Sequence, residues 1–274
     1  MKQSLRLFLF FLVPLLAAAM VSAARGQSEP ALLFVIDGQS NSGSQGDGDE
    51  LSEYWLEVGD EILLYSPQFT GVKQFVSAPH NSSKARWDSR FGAELGLYEA
   101  IRAQYPDRVV AFARRSRGGT SITEWCSSVA CNSTQYTKAQ NLIGAATSKL
   151  LARSDVDSVE IAAIIWIQIE ADTPNISLAT NYADRLAQLI ESHRHDAGDT
   201  NLPFLFIAPH THVGSSGFPI IDAGVREVAS GTPRTAIIET IDLSTQDDGI
   251  HFDTAGMVEL GRRFGAAWLE IQGQ

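Results

Sequence analysis

Cysteine is nearly absent from this chain: Cys126 and Cys131 are the two it has, too few and too far apart for a C-x-x-C redox pair. A thiolate zinc centre would need further ligands beside them. Positive charge is also scarce, with 21 Lys and Arg against 32 Asp and Glu and a formal net charge of -11. That balance argues against a nucleic-acid partner, whose phosphates demand basic patches. Apolar runs of the roughly 20 residues a membrane-spanning helix requires are missing too. Leu7 to Val21 is uncharged but shorter, and Lys2 and Arg6 precede it while the small residues Ser22, Ala23 and Ala24 follow it. A basic start, a short apolar stretch and a small-residue exit read as a secretory signal over residues 1–24. The expectation is a secreted protein, extracellular or periplasmic, with no membrane attachment after cleavage. In that setting the close pair Cys126 and Cys131 is expected to form a disulfide. There is no Pro/Ser linker, internal repeat or low-complexity tract, so residues 25–274 read as one domain.

What is present is alternation. Leu32 to Ile36 is a compact apolar run without polar alternation, as in a strand buried on both faces. Phe91 to Tyr105 has helical spacing, Val109 to Ala113 reads as a strand, and Thr137 to Ala152 as a helix. Val159 to Ile167 is a third strand, Asn181 to His193 a helix, Pro203 to Ala208 a strand and Ile220 to Ala229 a helix. Thr235 to Glu239 gives the last strand and Thr254 to Ile271 a terminal helix. Strands alternating with helices imply a parallel sheet covered on both faces, with residues 41–90 read as long loops.

In such a sheet, ligands bind beyond the carboxyl ends of the strands, so the residues there are the place to look for chemistry. After the first strand comes Asp37-Gly38-Gln39-Ser40-Asn41, after the second Arg117-Gly118-Gly119-Thr120, and after the third Gln168-Ile169-Glu170-Ala171-Asp172. Past the last strand lies Asp248-Gly249-Ile250-His251. A serine hydroxyl attacks an ester only when a base takes its proton, and histidine suits that task near neutral pH. An acid must then orient the imidazole, and a tetrahedral intermediate needs donors for its oxyanion. Ser40 is the candidate nucleophile and His251 the base, with Asp248 placed to orient it from one turn. The Ser40 and Gly119 backbone N–H groups and the Gln168 amide are candidate oxyanion donors.

These four ordered motifs, together with Arg90-Phe91-Gly92-Ala93-Glu94-Leu95, resemble the SGNH/GDSL hydrolase superfamily. Within it the likeness is to the sialate O-acetylesterase-like group and to carbohydrate esterase family six, which includes acetylxylan esterases. It runs from about Leu32 to Trp268. The resemblance implies a three-layer α/β/α sandwich, flavodoxin-like, around a central, mostly parallel five-stranded sheet. It implies Ser40 as nucleophile, His251 as base, Ser40, Gly119 and Gln168 as oxyanion donors, and no cofactor. For the acid it leaves Asp248, which has the spacing of members that orient histidine from the same loop, beside Glu170, the residue some family-six relatives use. Ile169 departs from the Gln-Gly-Glu usual in relatives. The activity it implies is removal of O-acetyl groups from carbohydrate. Other acyl esters (a lipase, thioesterase or aryl-esterase) and a non-catalytic sugar-binding protein are the competing readings.

Other residues have plainer readings. His210-Thr211-His212 lacks a third metal ligand and reads as a loop lining the cleft, so no metal is expected. Asp47, Asp49 and Glu50 lack calcium-loop spacing. Arg114, Arg115 and Arg117 read as a solvated or salt-bridged cluster. Trp55, Trp87 and Trp125 are candidate sugar-stacking platforms, whereas Trp166 and Trp268 lie in apolar runs and read as core.

Overall fold

The structure, a computed structural model, describes residues 29–66, 90–126, 132–210 and 215–273. The expected signal segment, Trp87, Cys131 and His212 lie outside those residues, so the Cys126–Cys131 pairing does as well.

The apolar run at 32–36 forms the centre of β1 (Ala31–Gly38), every residue of which is buried. The chain continues through β2 (Gly46–Asp47), α1 (Glu53–Asp60), β3 (Leu63–Tyr65), β4 (Arg90–Phe91) and α2 (Glu94–Arg102). Next come β5 (Val110–Ser116), α3 (Thr134–Leu151), β6 (Val159–Ile167), α4 (Ile176–Thr180) and α5 (Tyr182–Ala197). The last elements are β7 (Phe204–Ile207), α6 (Phe218–Gly231), β8 (Thr235–Ile238) and α7 (Thr254–Gln272). The main sheet has the order β3-β5-β1-β6-β7-β8, and all its pairings are parallel.

The sheet therefore has six strands where five were expected. The additional strand, β3, lies in the 41–90 stretch read as loops, together with α1 and the small antiparallel pair of β2 and β4. Three apolar residues carry too little periodicity to announce a strand; β3 exists because β5 offers it an edge, with Leu63 opposite Ala111. The helix expected from Phe91 starts at Glu94, since Phe91 belongs to β4 and pairs with Gly46.

Alternate residues of β1 serve the two layers. Phe34 stacks on Phe112 at 5.7 Å and meets Trp268 of α7 edge-on at 5.1 Å. On the opposite face Ala31 and Leu33 pack with Leu142, Ala146 and Leu150 of α3. Truncating a buried aromatic such as Trp268 costs about 3–5 kcal/mol. Helices α2 and α7 meet through glycines: a Cβ on Gly96 would fall 2.0 Å from the Val258 carbonyl oxygen, and one on Gly261 2.2 Å from that of Ala93. Asp253 caps α7 by accepting from the Gly256 N–H at 2.8 Å.

Arg114 and Glu94 form an ion pair at 2.5 Å with both side chains fully buried, and Arg114 also donates to Ser44 Oγ at 2.5 Å. This ties α2 to the turn that follows β1. Of the three arginines read as a solvated or salt-bridged cluster, Arg114 is the salt-bridged one and Arg117 alone is exposed, while Arg115 is half-buried and donates to Gln135.

Candidate active site

Because β1, β5 and β6 run parallel as neighbours, their carboxyl ends deliver the first three motifs to one rim. Gly38 allows the first of them to lie against β6: a Cβ there would stand 2.1 Å from the Ile167 carbonyl oxygen. Gln39 then donates its N–H to that same carbonyl at 3.0 Å, and Ser40 opens a single 3-10 turn, Ser40–Ser42. The Ser40 carbonyl is held by the Gly43 N–H at 2.9 Å and by the Gln45 amide at 2.7 Å.

Ser40 Oγ lies 2.9 Å from His251 Nε2, and His251 Nδ1 lies 2.6 Å from Asp248 Oδ2. A carboxylate can only accept, so Nδ1 carries the proton and Nε2 is left to accept from the serine hydroxyl. The other Asp248 oxygen accepts the N–H groups of Ile250 at 2.8 Å and His251 at 2.9 Å. Partial burial would raise the Asp248 pKa, but these backbone bonds and the imidazole outweigh it and hold the carboxyl down at about 2. Asp248 is thus ionised throughout the range in which an imidazole titrates.

Glu170, the alternative acid, is engaged elsewhere. It accepts from Asn41 Nδ2 at 2.6 Å and from the Ile169 N–H at 3.1 Å. Asn41 in turn donates to the Ile250 carbonyl at 3.0 Å and accepts from the Phe252 N–H at 3.2 Å, gripping the chain on both sides of His251. Ile169, the departure from the usual glycine, is buried and turns its side chain into the core.

Gln168 differs from the sequence expectation. Its side chain is fully buried, and its amide nitrogen faces three acceptors: Asp172 at 2.6 Å, the Thr120 carbonyl at 3.0 Å and Gln39 Oε1 at 3.2 Å. With two amide hydrogens thus engaged, Gln168 has none left for an oxyanion and acts as a brace between the first three motifs. Tyr182 completes the brace, donating to the Gln168 carbonyl and lying 3.0 Å from its Oε1. Asp172 also accepts from Ser121 Oγ at 2.6 Å and the Ile122 N–H at 3.0 Å; burial raises its pKa despite these bonds. Gly119 is exposed at φ +70°, with no atom within 4 Å of where a Cβ would stand, so the loop there is open to a ligand. A left-handed φ of this kind favours glycine.

Several other expectations change. Trp125 is no sugar platform: it is buried, packs edge-on against Trp166 at 5.3 Å and donates to Thr120 Oγ1 at 2.9 Å. Trp55 is partly buried with the Arg262 guanidinium 4.8 Å over its ring. His210 is buried and lies 2.7 Å from the Ile250 carbonyl through Nε2. Asn41, Gln39 and Asp172 were read only as letters of motifs; what each holds depends on side-chain direction, which spacing does not give.

Just beneath Ser40 on β1 sits Asp37, fully buried, opposite Arg115 in the pairing with β5 and 4.0 Å from His193 Nε2. Neither carboxyl oxygen has a hydrogen-bond partner among the described residues. Burial raises its pKa to about 8, with Arg115 pulling partly the other way. His193 is driven down to about 4 by burial, against the pull of Asp196.

The family model described as carbohydrate esterase, sialic acid-specific acetylesterase matches residues 30–270. A probable carbohydrate esterase of Arabidopsis thaliana is 25% identical over 264 residues, spanning 88% of this chain and 91% of that protein. The crystal structure of an A. thaliana protein has the same fold, with a TM-score of 0.68 at 22% identity over 88% of this chain and 99% of its own. So does a carbohydrate acetylesterase from Xanthomonas citri, with a TM-score of 0.60 at 17% identity over 89% of this chain and 57% of its own. The chain belongs to the carbohydrate esterase, sialic acid-specific acetylesterase family, and carries its α/β fold on a central parallel sheet.

Proposed function

We propose that this protein is a secreted serine esterase that removes O-acetyl groups from carbohydrate, acetylated xylan among them, through an acyl-serine intermediate. The observation that carries the reading is the His251 ring, bonded to Ser40 Oγ at 2.9 Å and to Asp248 at 2.6 Å. In this mechanism Nε2 takes the hydroxyl proton as Oγ attacks the acetyl carbonyl. Asp248 stabilises the imidazolium that forms, and the oxyanion accepts from the Ser40 and Gly119 backbone N–H groups. The C–O bond to the sugar then breaks, with the imidazolium proton passing to the leaving alkoxide. Water, deprotonated by the same imidazole, attacks the acetyl-serine and releases acetate and free Ser40.

The carbohydrate esterase relatives support the sugar and the acetyl group. Export, by the basic and apolar segment at residues 1–24, belongs to the same proposal, as does a Cys126–Cys131 bridge following Trp125 in the sequence. The test is acetate release from acetylated xylan and from aryl esters of two to eight carbons. Ser40→Ala should abolish it, and His251→Ala should lower kcat by roughly 10³-fold or more. Retention of most activity by Ser40→Ala would sink the mechanism, and a preference for the longest acyl chain would sink the substrate.

A further inference from the structure

We infer that His210 is a positioning residue for the proposed hydrolysis, holding the Ile250–His251 peptide so that the imbalance of a surface loop does not carry the imidazole away from Ser40. The inference rests on the proposed function and goes beyond it, because His210 touches neither Ser40 nor His251 in any bond described above.

The loop before α7 has little apolar anchoring at the point that matters: Ile250 is 41% exposed. Polar contacts hold it instead. The Ile250 carbonyl accepts from Asn41 Nδ2 at 3.0 Å and lies 2.7 Å from His210 Nε2. A carbonyl only accepts, so Nε2 of His210 carries a hydrogen. Across the same peptide, the His251 N–H donates to Asp248 Oδ1 at 2.9 Å. The peptide plane immediately before the imidazole is thereby fixed from both sides, and His210 is one of the two donors on its carbonyl edge.

His210 is itself well placed to be rigid. It follows β7, where the Ala208 N–H donates to the Ile238 carbonyl at 2.8 Å and Thr240 Oγ1 to the Ala208 carbonyl at 2.7 Å. Its side chain is 2% exposed, its ring lies 4.5 Å from that of Phe252, and Glu170 Oε1 is 3.7 Å from Nε2. The other ring nitrogen, Nδ1, is buried without a partner among the described residues. A buried unpaired polar atom costs stability, and a phenylalanine would fill similar space without it. Packing alone gives no reason for an imidazole here; the Ile250 bond does.

The test compares full-length wild type, His210→Phe and His210→Gln on an aryl acetate, with kcat, KM and melting temperature measured for each. Labelling of Ser40 by a fluorophosphonate is followed in parallel. Loss of the Nε2 donor in His210→Phe should lower kcat and the labelling rate by about 10- to 100-fold, the scale of an ångström-sized misplacement, with KM within about twofold. Its melting temperature should stay level or rise. His210→Gln, whose amide can donate from nearly the same point, should recover most of kcat. Should His210→Phe fail to fold, His210→Asn, whose shorter amide stops short of Ile250, takes its place with the same expectation. A wild-type kcat in the Phe or Asn variant, or a loss that follows the melting temperature and that Gln does not rescue, overturns the inference. A folded wild type that neither cleaves the ester nor takes the label refutes the hydrolase reading instead.

Discussion

Asp37→Asn should remove a pH dependence of stability that the wild-type protein carries. Asp37 is fully buried, without a hydrogen-bond partner among the described residues, and holds its proton up to about pH 8, against 3.8 for an ordinary aspartate. A group whose pKa is raised by folding stabilises the native state most at low pH and loses that contribution as pH climbs towards the folded value. Between pH 4 and 8 the unfolded chain has released this proton and the folded chain has not, so each pH unit costs about 1.4 kcal/mol. His193 opposes this at the acid end. Its pKa falls from 6.5 to about 4 on folding, so its contribution rises with pH until about 6.5 and is flat beyond. The clean window is therefore pH 6.5 to 8, where wild type should lose about 2 kcal/mol that the variant keeps. The carboxamide adds an N–H needing an acceptor, but that offset is the same at every pH and leaves the slope untouched. Urea unfolding followed by tryptophan fluorescence at pH 6.5, 7.2 and 8.0 measures it. Parallel loss of stability in the two proteins across that window would show that Asp37 is ionised in the native state and refute the reasoning.

Two further predictions concern the charged pairs. Asp248→Asn should lower kcat by about 10⁴-fold through the wrong imidazole tautomer; the half-exposed side chain should leave the urea midpoint nearly unchanged, and a loss under tenfold would favour a different acid. Arg114→Met, which strands Glu94 in the interior, should cost about 3–5 kcal/mol by urea unfolding. The double variant with Glu94→Gln should recover much of that, and additive losses would count against the pair.

The parallel strands were legible because burial on both faces removes polar alternation, as in Leu32 to Ile36 and Val159 to Ile167. β3 was not, because three residues hold less than two periods of any pattern, and it depends on the edge that β5 presents. At the site, Ser40, His251 and Asp248 could be placed in reach of one another because strand order and the three-residue spacing in one turn constrain them. The direction of a terminal amide is under no such constraint: Gln168 and Glu170 stand at the right strand end, yet one braces Asp172 and the other holds Asn41. Trp125 was misplaced for a related reason, as a polar loop in the sequence folds its indole back onto Trp166.

Ser40 and His251 are separated by 211 residues, the first leaving the first strand of the fold and the second preceding its last helix. At ribosomal speeds of about 5–20 residues per second, the serine would exist for roughly 10 to 40 s before its imidazole is synthesised. Until Ile167 is made, partway through that interval, β1 cannot complete its pairing with β6, so Gly38 has no carbonyl to lie against and the turn at Ser40 has no fixed shape. The hydroxyl-to-imidazole bond waits longer still, and under the proposed hydrolysis Ser40 would gain its base only after β8 has been made.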